Sequence, residues 1–227
     1  MSSYHWKQWF FPIHTLTLCT SSIMLNYLLI PNTFNQLALP LPSTRINTHW
    51  WNFFSCQLLH GDSFHLWNNM IIILSLGNIF EMIHGPIPSF TIFWIGGTVG
   101  IMAEAGWHVS GPNYIVGSSS GAYALIGGYL AHLIMNWKET PLRKVWFALF
   151  FMCVILTVIF SIVDDSSNRL YIAHIAHGVG LIQGTFVACL VVQNKKILRI
   201  ENLVKIVTFV LATSSIASVW YRLCFIS

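Results

Sequence analysis

Seven stretches of this chain are apolar and almost free of charge over lengths that only lipid makes stable. A helix needs about 20 mostly apolar residues to cross a bilayer core, with roughly 17 to 25 tolerated. The runs Phe10–Ile30, Phe64–Phe80, Pro86–Ala103, Ile115–Trp137, Val145–Val163, Leu170–Gln193 and Ile206–Tyr221 reach or approach that length, the last being the shortest. The expected fold is all-α, a polytopic membrane helix bundle. It forms a single membrane domain over 1–227, with a core at about 10–194 and a seventh span at about 206–221.

Composition agrees. Charged residues make up 8% of the chain and hydrophobic ones 55%, whereas a soluble domain carries about a quarter charged residues. Most of the ten tryptophans stand near the ends of the apolar runs, where amphipathic rings favour the membrane interface. The first run continues too far, and without a small-residue cleavage site, to read as a signal peptide. Five cysteines at no repeating spacing read as small buried hydrophobes rather than a metal or redox pair. The net charge of +4 is scattered, which excludes a nucleic-acid patch.

The basic residues set an orientation. With the N-terminus in the cytosol, Lys7, Lys138, Arg143, Lys144, Lys195, Lys196, Arg199 and Lys205 face the cytosol, and only Arg45, Arg169 and Arg222 face outward. The positive-inside bias favours that arrangement. Between the first two spans runs a loop of about 30 residues, with Pro31, Pro40, Pro42 and an amphipathic Trp50–Leu59 segment. It is too aromatic for disorder and is expected to lie in the interface.

Polar groups inside spans are costly and by default mark function. Three sets fall at the same, outer depth. His65 and Asn69, four apart and so on one helix face, lie in the second span, with His60 just before it. Gly117-Ser118-Ser119-Ser120-Gly121-Ala122-Tyr123 opens the fourth. Ala176-His177, followed by Gly180 and Gly184, lies in the outer half of the sixth. Small residues at Gly180 and Gly184, and at Gly121, Ala124, Gly128 and Ala131, invite close approach of spans four and six. That contact brings His177 toward Ser118–Ser120. An imidazole beside a serine hydroxyl makes an activated nucleophile, and His65 and Asn69 are donors suited to a developing oxyanion.

These residues resemble the rhomboid intramembrane serine proteases over roughly residues 45–195. His60, His65 and Asn69 fit an H-x4-H-x3-N pattern. Gly117, Ser119 and Tyr123 fit G-x-S-G…Y, and Ala176, His177, Gly180 and Gly184 fit A-H-x2-G-x3-G. Phe80–Gly85 and Leu133–Lys138 further resemble the animal secretory-pathway members, which carry six core spans plus one. The resemblance implies a Ser119–His177 dyad without an acid. His65, Asn69 and the Ser119 N–H would form the oxyanion hole, with His60 in support and Tyr123 packed on the His177 ring. It implies hydrolysis without cofactor or metal, on single-span transmembrane proteins cleaved near the lumenal or extracellular boundary. Location in the secretory pathway or plasma membrane is implied too.

The chain departs from the pattern in places. Ser120 stands where the family has glycine, which narrows the expected oxyanion region, and Asn52 follows Trp51 where the family has arginine, a change expected to loosen the long loop or alter its lipid contacts without touching the chemistry. His174 is read as a neighbour of His177. Glu104 is read as a solvated carboxylate at the end of the third span, and Asp164 and Asp165 as part of a solvated turn. An inactive relative that binds membrane helices is the alternative function. A small transporter is the other, disfavoured by the lack of an inverted repeat.

Overall fold

Pro31, Gly85 and Pro86 mark helix boundaries in this chain, and the Asp62 side chain caps the helix start at Ser63. A computed structural model describes residues 11–28, 31–41, 50–107, 114–140, 142–166, 173–192 and 201–225. Helix α1 spans Ile13–Leu28. The connection after it holds helix α2 (Pro31–Leu37), strand β1 (Leu39–Pro40) and the short helix α3 (Asn52–Ser55), which tightens into a 3-10 turn at Cys56–Leu58. Helix α4 (Ser63–His84) and helix α5 (Pro86–Trp107) follow, separated by Gly85 at a φ of 89°. Each carries a π-helical turn, at Ile73–Gly77 and Ile92–Gly96. Strand β2 (Tyr114–Ile115) precedes helix α6 (Ser119–Asn136), helix α7 (Arg143–Ser166), helix α8 (His174–Val191) and helix α9 (Glu201–Phe225).

Every apolar run therefore contains a helix. Among the described residues, α4, α5, α7, α8 and α9 are long and apolar enough to cross a membrane. Helix α1 has 16 residues, and α6, rich in serine, glycine and small residues, occupies the bundle centre. The chain is an all-α polytopic membrane bundle. The last span is no short remnant: α9 runs 25 residues. Most large side chains of α7 and α9 stay exposed, among them Phe151, Ile155, Val207 and Val210, as lipid-facing helices require.

The centre is α6 against α5 and α8. Close approach comes from residues without side chains. A Cβ on Gly184 would collide with Ala124 O, and one on Gly180 would lie 2.6 Å from Ser120 O. The small residues of α6 divide between two partners. Gly121 meets Phe93 and Gly128 meets Ile92, both on α5, whereas Gly127, absent from the sequence-based stripe, meets Leu181 O and Thr185 of α8.

The described parts of the long connection, 31–41 and 50–59, pack on the bundle. Leu39 pairs with Ile115 and Pro40 with Tyr114 in a two-stranded antiparallel ladder. Ala38, Leu39, Phe53, Cys56 and Leu59 are buried, while Trp50, Trp51 and Phe54 are exposed. Asn52 does not loosen this segment as expected. It is buried, and its Nδ2 donates to Gln36 O at 3.0 Å and to Ala38 O. The amide thus ties α3 to the end of α2 and the residue before β1 by two backbone bonds.

At the end of the bundle away from Ser119, Glu81 is buried and accepts from His14 N, Thr15 N and Thr15 Oγ1, each at 2.7 Å. These N–H groups lie in the first turn of α1, where a helix leaves donors unpaired. A carboxylate there suits the helix dipole.

Candidate active site

Three elements bring the polar residues together. The first is the approach to α4. Asp62 is an extended N-cap whose Oδ1 accepts from His65 N at 2.7 Å, which starts the helix where His65 and Asn69 fall on one face. The rings of His60 and His65 stand edge to face at 5.2 Å. His60 is buried, and burial together with the neighbouring His65 holds it well below the usual imidazole range, so the ring is neutral.

The second element is the turn into α6. Gly117 has a φ of 129°, and a Cβ there would lie 2.7 Å from the His65 ring. Glycine is needed both for the backbone and for the space. Its N–H donates to Cys56 O at 3.0 Å, so the long connection and the serine turn are tied directly. Helix α6 then begins at Ser119 with Ser118 as N-cap, leaving first-turn N–H groups of the kind that stabilise anions.

The three serines, indistinguishable by composition, have three different partners. Ser118 Oγ lies 3.0 Å from His60 Nε2, and Ser118 N donates to the same nitrogen at 3.4 Å. Ser120 Oγ lies 2.9 Å from Gly97 O and 3.0 Å from Ala176 O, one proton shared between two carbonyls. Ser119 Oγ alone meets a histidine of the third element, His177 Nε2 on α8, at 2.8 Å. The ring of Tyr123 stacks on His177 at 4.4 Å and 10°. That stack fixes the plane of the imidazole, so Nε2 points at the hydroxyl. Ser119 and His177 are half-buried, reachable from outside yet shielded.

His174 is exposed, its ring 6.3 Å from that of His177. His65 Nδ1 and Asn69 Nδ2 are buried without a hydrogen-bond partner among the described residues. Unpaired buried polar atoms are costly, and the His65 ring lies against Gly117 at the entry to the serine turn. Gly180 and Gly184 pack on Ser120 and Ala124.

Two acidic readings change. Glu104 is not solvated. It is 1% exposed, inside α5, and its Oε2 accepts from Ala176 N at 3.0 Å. The sequence reading ended the span at Ala103 and so missed this bond, whose donor lies 72 residues later in the chain. Asp164 and Asp165 belong to the last turn of α7 rather than to a loop.

The model of the rhomboid domain matches residues 47–194, which includes every residue of this site. Rhomboid-related protein 1 of Caenorhabditis elegans is 30% identical over 174 residues, 74% of this chain and 47% of that protein. Human rhomboid-related protein 3 is 32% identical over 88 residues, covering 39% of this chain and 21% of its own length. RHOMBOID-like protein 5 of Arabidopsis thaliana is 32% identical over 87 residues, 38% of this chain and 28% of its own. The chain spans less than half the length of each of these relatives.

Proposed function

This chain belongs to the rhomboid family, and on that premise we propose that it is an intramembrane serine endopeptidase of the animal secretory-pathway type. The observation that carries this is the 2.8 Å contact of Ser119 Oγ with His177 Nε2 under the stacked Tyr123 ring. In this reading Ser119 attacks the scissile carbonyl carbon while its proton passes to His177 Nε2. The negative charge on the carbonyl oxygen meets the first-turn N–H of Ser119 and the donors of His65 and Asn69. Collapse of the adduct breaks the C–N bond, and His177 returns its proton to the leaving amine. Water then adds to the Ser119 ester with His177 again as base, which frees a carboxylate and restores the hydroxyl.

His60 supports this machinery from behind. As a neutral ring bonded to Ser118, it positions the turn that presents Ser119. Substrates are single-span transmembrane proteins whose helices unwind easily, because a helical backbone hides its carbonyls from attack. With the basic residues of the sequence in the cytosol, the N-terminus is cytosolic and the dyad opens toward the lumenal or extracellular side. Secretory pathway or plasma membrane is the compartment.

The test is cleavage of a reporter membrane helix in proteoliposomes, scored on gels. Wild type cuts the reporter and Ser120→Ala cuts it more slowly, while Ser119→Ala and His177→Ala do not cut it. Equal cleavage by wild type and Ser119→Ala would reject the assignment. Binding of the reporter without any cleavage by wild type would make the protein an inactive helix binder.

A further inference from the structure

His177 sits in the first turn of α8. Helix ends fray, because their first N–H groups have no partner within the helix. A base that must hold Nε2 within hydrogen-bonding reach of a hydroxyl is poorly placed there, unless something outside the helix fastens that turn. The residue immediately before His177 is fastened at both ends of its backbone. Ala176 N donates to Glu104 Oε2 of α5 at 3.0 Å, and Ala176 O lies 3.0 Å from Ser120 Oγ of α6. Both clasps are buried, with Glu104 and Ser120 each 1% exposed.

We propose that Glu104 and Ser120 are positioning residues that clamp the Ala176 backbone and so hold His177 in register with Ser119. The clamp links all three central helices. Ser120 follows the nucleophile on α6, its hydroxyl also reaches Gly97 O of α5, and Ala176 precedes the base on α8. The geometry leaves no slack. A Cβ on Gly100 would lie 2.5 Å from Ala176 O and would also strike Ser120 Oγ, so α5 presents bare backbone where the clasp closes. Glu104 adds a favourable acceptor at the positive end of α8. Ser120 stands where the resemblance puts glycine, so the hydroxyl clasp is a feature of this sequence. The Ser120 hydroxyl is taken up by Gly97 O and Ala176 O in the helix contacts.

The inference rests on the Ser119–His177 reading, and one experiment separates the two. Purified full-length protein in detergent is labelled with a small fluorophosphonate, and the maximal labelling rate and half-saturating probe concentration are measured per folded molecule, with thermal unfolding followed in parallel. Ser120→Ala and Glu104→Ala each lower the maximal rate about tenfold and leave half-saturation unchanged, because a loosened base misplaces the attack without altering probe contacts. Glu104→Gln, whose side-chain carbonyl still accepts from Ala176 N, recovers the rate to within about threefold of wild type. Ala variants that label at the wild-type rate, while Ser119→Ala abolishes labelling, overturn the clamp and leave the dyad standing. A change in half-saturation alone also overturns it. If Glu104→Ala does not fold, Ser120→Ala, which deletes one hydroxyl, decides. Wild type that never labels, or labels equally as Ser119→Ala, removes the dyad and the clamp together.

Discussion

Gly180→Ala tests the central helix contact with a single methyl group. The added Cβ would lie 2.6 Å from Ser120 O and 2.9 Å from Ser120 Oγ. The hydroxyl can rotate, but the carbonyl is helix backbone and cannot. Ordinary contact begins at 3.4 Å, so α8 must back away from α6 by about 0.8 Å at this level. Gly180 is one turn beyond His177 on the same face. Carried to the dyad, that movement stretches the 2.8 Å contact to about 3.6 Å, outside hydrogen-bonding reach. Overpacking a core by a methyl group costs about 1–3 kcal/mol, and misplacing a catalytic pair by about 1 Å costs about a hundredfold in rate. Gly178→Ala is the internal control, because nothing lies within 4 Å of its added Cβ. As an exposed helical position it gains about 0.5–1 kcal/mol from the alanine. Fluorophosphonate labelling of Ser119 and thermal melts in the same detergent read both quantities. Gly180→Ala that labels and melts like Gly178→Ala would refute the argument that bare glycine sets the helix spacing.

Three further outcomes follow from single contacts. Asn52→Ala removes the amide that donates to Gln36 O and Ala38 O; it should cost about 1–3 kcal/mol and speed protease nicking of the 31–41 segment, and an unchanged nicking rate would show that the loop is held elsewhere. Glu81→Ala strips three accepted bonds from the start of α1 at the far end of the bundle; a loss of about 3 kcal/mol or more is expected with Ser119 labelling per folded molecule unchanged, and a fall in that labelling would tie the two ends together. His60 is neutral in the fold and charges more readily when unfolded, so the unfolded state takes up the extra proton and stability falls as pH drops below about 6.5. Between about pH 7.5 and pH 5.5 the melting temperature should drop further for wild type than for His60→Gln, and equal drops would contradict a buried neutral ring.

The helical bundle was written in the chain one residue at a time. Whether lipid or water surrounds a run of 20 residues depends on summed transfer free energy, which is local, so the seven runs and the absence of charge from them were legible without coordinates. The pattern of His60, His65, Asn69, Ser119, Tyr123 and His177 was legible for the same reason, as each residue type and spacing stands in the sequence. The partners were not. Ser118, Ser119 and Ser120 differ by rotation about one helix, and only the packing of α6 sends them separately to His60, to His177 and to two backbone carbonyls. Glu104 looked solvated because its acceptor need is met by Ala176 N, 72 residues later in the chain. Asn52 looked like a loss until two carbonyls more than a dozen residues upstream received its amide. Hydrophobicity adds along a sequence, whereas a hydrogen bond needs two groups at one place and angle. The sequence by itself therefore determined the medium, the helices and the chemical inventory, and tertiary structure alone decided which of those groups touch.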